Sequence, residues 1–96
     1  MFIVEYYVSE YDDNRHSDIT NVYYTFNLPS AKAFIRFQAK QIALKEFESF
    51  YKNKVKDSKW MPNKIVLSKK VTKYYIGIPE LYLYHIWLLK EIEIIS

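Results

Sequence analysis

Phe2, Val4, Tyr6 and Val8 alternate along the chain with Ile3, Glu5, Tyr7 and Ser9. A period of two marks a strand with one buried face, so a strand is expected over 2–9. Residues 10–18 (EYDDNRHSD) are polar and rich in Asp, Asn and Ser, whose side chains bond their own backbone in turns, and they read as a hairpin loop. Val22, Tyr24, Phe26 and Leu28 then alternate with Asn21, Tyr23, Thr25 and Asn27. This predicts a second strand, antiparallel to the first, with the former set as its apolar face.

The period changes over 27–56 (NLPSAKAFIRFQAKQIALKEFESFYKNKVK). Asn27 or Ser30 can cap a helix here, and Pro29 suits its first turn because the missing N–H would have been unpaired anyway. Lys52, Lys54 and Lys56 stand near the expected end, where the dipole favours cations, and Asp57, Ser58 and Pro62 stop the helix. On a helical projection Ala31, Ile35, Ala39, Ile42, Ala43 and Phe50 share one band, with Phe34 and Phe47 at its edges. That band is expected to press on a sheet. Phe37, Leu44 and Tyr51, seven apart, with Val55 four beyond, form a second apolar stripe where a surface helix is normally polar.

From Lys64 onward the chain is rich in Ile, Val, Tyr and Leu, and strands are expected near 64–71, 73–78 and 81–95. The segment 79–93 also fits a helix, since Leu81, Tyr84, Leu88 and Ile92 recur at spacings of three and four behind Pro79. Its aromatic and branched content favours the strand. Gly77 and Pro79 mark a bulge or strand end, and Glu91 and Glu93 are expected to face solvent at a sheet edge, where charge discourages aggregation. The resulting fold class is α+β: an antiparallel, or mixed, sheet of four to five strands with one long helix on one face, in the order β-β-α-β-β-(β).

Composition narrows the class. Ninety-six residues suit a single domain over 1–96, and 50% hydrophobic with 26% charged residues excludes a disordered chain. The absence of cysteine excludes disulfide scaffolds, zinc fingers and thiol catalysis, and makes an intracellular protein the expectation. No secretory leader or apolar run long enough for a transmembrane helix is seen. Ile, Lys, Tyr, Phe and Asn abound while Ala, Arg, Gly and Pro are scarce, the bias of an A/T-rich coding sequence such as that of a virus, phage or plasmid. Residues 1–30 carry net −4, 31–60 net +5 and 61–96 net +2, a charge dipole able to orient self-association.

Candidate chemistry is sparse. Lys54, Lys59, Lys64, Lys69, Lys70 and Lys73, interleaved with Trp60 and Tyr74, resemble the phosphate neutralisers and stacking rings of single-strand binders. Lysines outnumber arginines 12 to 2, which disfavours bidentate base readout. Asp12, Asn14, His16 and Asp18 echo a calcium loop, but Ser17 replaces its glycine and Tyr23 its bidentate glutamate, so no metal is expected. His16 lies in a polar loop, and His85, within LYLYHIWLL, reads as a satisfied core or interface histidine. The lone Gly77 cannot build a phosphate loop. Neither enzymatic activity nor a cofactor is expected.

The expected function is therefore binding: a homodimer that docks on a partner protein through Phe37, Leu44, Tyr51 and Val55, with Lys52 and Lys56 on the rim. The second expectation is weak, sequence-independent nucleic-acid binding by the Lys52–Lys73 region.

Overall fold

A computed structural model describes residues 1–10, 15–16, 18–78 and 83–93. The elements are β1 (Phe2–Glu10), β2 (Arg15–His16), β3 (Thr20–Thr25), α1 (Leu28–Glu46), α2 (Glu48–Tyr51), β4 (Asn63–Val66), β5 (Val71–Ile78) and β6 (Leu83–Glu91). β2 and β3 lie one after the other along the same side of β1, and the sheet continues β1-β6-β5-β4 with every pair antiparallel. The last strand thus sits at the centre beside the first. The fold is α+β with the long helix on one face. A thickness of 20 Å is one sheet plus one helix layer.

Register assigns the two faces. Val4, Tyr6 and Val8 pair with Leu89, Trp87 and His85, and these pair in turn with Thr72, Tyr74 and Ile76. Paired residues share a face, so this set forms the floor of the core under α1. Ala31, Ile35, Ala39 and Ala43 are fully buried against it in one cluster with Val4, Tyr74, Ile76 and Trp87. Small side chains on the helix leave room for the bulk that the sheet supplies through Tyr74 and Trp87.

The single helix expected over 27–56 is interrupted. Asn27 caps α1, its Oδ1 accepting from the Ser30 N–H at 3.0 Å, with Pro29 in the first turn. Phe47, at φ −131° and ψ 36°, ends α1; one more turn, α2, runs to Tyr51 before turns over 52–59. The interruption corrects the expected faces. Buried positions recur every fourth residue through Ala31, Ile35, Ala39, Ala43, Phe47, Tyr51 and Val55. A continuous straight helix would rotate that line about 40° per step and carry its end off the sheet. The break resets the phase, so Phe47, Tyr51 and Val55 turn inward while Phe50, expected in the buried band, is 53% exposed.

Three strand expectations are also corrected. The β1–β3 register shifts between Val4 and Glu5, leaving Val22 unopposed, so Tyr23 rather than Tyr24 packs on the core and stacks on Phe34 at 4.4 Å between ring centroids. Tyr24 and Phe26 are exposed. The strand expected over 64–71 closes at Val66, with a turn at 68–70. β6 is a strand, not the alternative helix, and it is central: Glu91 is therefore not on a sheet edge, and Glu93 beyond it pairs with Lys70 at 2.8 Å. Pro79 and the ends of the expected 81–95 strand lie outside the described residues.

Candidate functional site

The expected helix stripe does not survive as one surface. Phe37 (60%) and Leu44 (44%) are exposed, but Tyr51 and Val55 are buried in the chain's own core. The Tyr51 hydroxyl donates to the Gly77 carbonyl at 3.2 Å, tying α2 to β5. Lys52 and Lys56 are exposed but flank no apolar surface made by Tyr51 and Val55. What remains outward on the helix is two apolar side chains with Lys40 and Gln41 between them in sequence.

The other side of the sheet carries a second apolar set, with Ser9 and Ile86 buried and the residues around them half-buried. The register places Tyr7, Ile86 and Tyr75 in one row across β1, β6 and β5, followed by Glu5, Leu88 and Lys73, then Ile3, Lys90 and Val71. Ile86 is 2% exposed yet lies outside the helix-side cluster. Its cross-strand neighbours Tyr7 and Tyr75 and the flanking Tyr84 surround it, and Tyr84 meets Tyr75 edge-on at 6.3 Å. Among the described residues, both helices and Trp60 and Met61 pack on the opposite face. Solvated faces of antiparallel sheets are normally polar. This one carries one internal ion pair, Lys90 Nζ to Glu5 Oε1 at 2.5 Å, on an aliphatic and aromatic ground.

The lysines expected to act together are divided. Lys64, Lys69 and Lys70 converge on a groove of about 160 Å³ lined also by Lys32, Thr72, Tyr74 and Glu91, beside the N-terminus of α1. Lys54 instead lies over the Tyr51 ring, 5.5 Å from its centroid, and the Lys59 N–H donates to Asp57 Oδ1 at 2.9 Å. Trp60 is half-buried, edge-on to Tyr51 at 6.1 Å, and Lys73 points from the opposite face of the sheet. Tyr74 is 4% exposed, so neither ring forms the open stacking platform expected of a single-strand binder. Lys32 was not foreseen. The signal for it was the first turn of α1, which holds no acidic residue where one is usually favoured.

His85 is 5% exposed and bonded at both ring nitrogens, Nδ1 to the Tyr6 hydroxyl at 2.6 Å and Nε2 to Glu46 Oε2 at 2.6 Å. In the neutral ring Nε2–H donates to Glu46, and Nδ1 accepts from Tyr6. Burial, and secondarily the Glu46 charge, hold the Tyr6 hydroxyl above the ordinary tyrosine range. A nucleophile or base would need the opposite shift. The cavity beside this chain, about 140 Å³, is lined by Tyr6, Gln38, Gln41 and Ile42. Gln38 Oε1 is already engaged, accepting from the Trp87 indole N–H at 2.9 Å. The arrangement braces helix to sheet.

Of the calcium-like set, Asp12, Asn14 and Ser17 lie outside the described residues, and His16 is placed only by its backbone pairing with Ser9. No group of three or more potential ligands stands together among the described residues, and no described helix is long and apolar enough to cross a membrane. No protein-family model, curated protein or solved structure matches the chain.

Proposed function

We propose that this protein is a non-catalytic binding module that pairs with a second copy of itself through the sheet face opposite α1, and in that form docks on a partner protein. The observation that carries the reading is the row-by-row apolar set of half-buried residues around the buried Ile86, on the face opposite the described helices. Besides the two-residue β2, strands of 9, 6, 4, 8 and 9 residues make up the sheet. At a rise of about 3.3 Å and a spacing of about 4.8 Å they present on the order of 600 Å² of flat area. That approaches the roughly 800 Å² per partner of a standard interface. An identical face is the complementary occupant. With a two-fold axis running along β6, each Glu5 faces the partner's Lys73 across a Leu88 pair, so one row supplies acid, apolar and basic positions to its own copy.

The docking surface thus moves from the helix stripe to the sheet. Phe37 and Leu44 remain outward on the dimer, where they are the residues offered to a different protein. The A/T-rich coding bias supports a viral or mobile-element origin for such a module.

Sedimentation of the pure protein across concentration tests the reading. A dimer is expected, dissociated by Leu88→Lys or Tyr75→Lys and unaffected by Leu44→Asp. A monomer at every concentration overturns it. Dissociation by Leu44→Asp alone returns the interface to the helix.

A further inference from the structure

We propose that the groove between the start of α1 and the β4–β5 hairpin is a binding site for the phosphate group of a small anionic ligand, held by Lys32, Lys64, Lys69 and the Tyr74 hydroxyl. Four lysines and one glutamate line this space. Gathering like charges around a concavity opposes folding, and the positive end of the α1 dipole adds to the repulsion. Only Lys70 among the four has an ion-pair partner, Glu93 at 2.8 Å, and both of those side chains are largely exposed. Lys32, Lys64 and Lys69 have none among the described residues. An anion in the groove would neutralise them together.

Tyr74 supplies the second and independent observation. It is 4% exposed, lines the groove, and its hydroxyl makes no hydrogen bond among the described residues. The ring is buried while the hydroxyl is not among the buried polar atoms left unpaired, so its oxygen opens into the groove, where it can donate to a bound anion. A phenol is neutral at physiological pH, so this hydroxyl can donate. A phosphate oxygen is an acceptor that both the phenol and the lysine ammoniums can share.

Size and chemistry limit the ligand. About 160 Å³ of groove accommodates a phosphate or pyrophosphate, and its open side leaves any further part of a ligand in solvent. Lysine neutralises as a point charge without the planar fork of arginine, so the site reads charge rather than a particular ester. Tyr74 is buried and Trp60 lies outside the lining, so the groove lacks the exposed rings that would hold successive bases.

Titration of the labelled protein with inorganic pyrophosphate, followed by backbone amide NMR at low salt, tests the site. Saturable shifts are expected at Lys32, Lys64, Lys69, Thr72 and Tyr74. Lys32→Gln with Lys69→Gln should weaken binding by about tenfold, as expected for removing charge-assisted bonds at a screened site. Tyr74→Phe keeps the ring and should weaken it severalfold, while Lys54→Gln with Lys59→Gln should leave it unchanged. Unperturbed spectra of the free variants would show that the fold is retained. No saturation, or shifts spread equally over Lys54 and Lys59, overturns the proposal. A single-stranded oligonucleotide forms the second arm: if it binds with a steep salt dependence and pyrophosphate does not displace it, the groove is a nucleic-acid track and the small-ligand site is wrong.

Discussion

His85 Nε2 lies 2.6 Å from Glu46 Oε2, joining the centre of the sheet to the last residue of α1. The residue after Glu46 breaks the helix, so this bond fixes where α1 ends over the strands and, through Phe47, which side chains of the next turn face inward. His85 is buried and Glu46 reaches it from a partly exposed position. Glu46→Ala removes the acceptor and leaves a buried ring N–H without a partner. The expected loss is about 1–2 kcal/mol, checked by urea denaturation, with Glu46→Gln retaining much of it because an amide oxygen still accepts.

Alkaline pH should weaken the fold through Tyr6 and Tyr74. Both hydroxyls are held above the ordinary tyrosine value of 10.0, Tyr6 by burial and then Glu46, Tyr74 by burial. A raised folded-state value means the folded protein holds its proton longer than the unfolded chain. The associated stability is complete below pH 10 and falls as pH rises through the folded values. Stability measured from neutral to strongly alkaline pH should decline in that window. Tyr6→Phe with Tyr74→Phe should flatten the decline, and an unchanged slope would show that other groups cause it.

Gly77→Ala should destabilise the β5–β6 ladder by about 1–3 kcal/mol. An added Cβ would lie 2.4 Å from the Leu83 carbonyl oxygen and 2.5 Å from Tyr84 Cδ1, and a backbone oxygen in a central ladder cannot move aside freely. The Tyr51 hydroxyl holds the same peptide from the helix side, so the strand cannot bow away without losing that bond as well. Thermal unfolding of the variant provides the check.

The phase reset at Phe47 separates two neighbouring phenylalanines. Phe47→Ala empties a core position that is 2% exposed and should cost about 3–5 kcal/mol. Phe50→Ala, on a side chain 53% exposed, should change stability by less than about 0.5 kcal/mol. The reverse order would mean that the helix continues unbroken through 47.

Read alone, the chain determines its local states and their order. Strict alternation over Phe2–Ser9, the Asn27 cap with Pro29, and the branched and aromatic content of 83–91 each encode an element through interactions within a few residues, and α+β in the order β-β-α-β-β-(β) follows from them. Tertiary structure decided what each element faces. The unopposed Val22 exchanges the roles of Tyr23 and Tyr24 because pairing with β1, not local pattern, sets that register. Tyr51 and Val55 fall inward because the helix breaks where the sheet gives Phe47 a place to bury. Placing β6 between β1 and β5 buries side chains on both of its sides, Trp87 under α1 and Ile86 among the tyrosines of the opposite face. Lys32 meets Lys64 and Lys69 only because the chain crosses the sheet between them. Such contacts join residues tens of positions apart, and no spacing along one strand or helix carries that information.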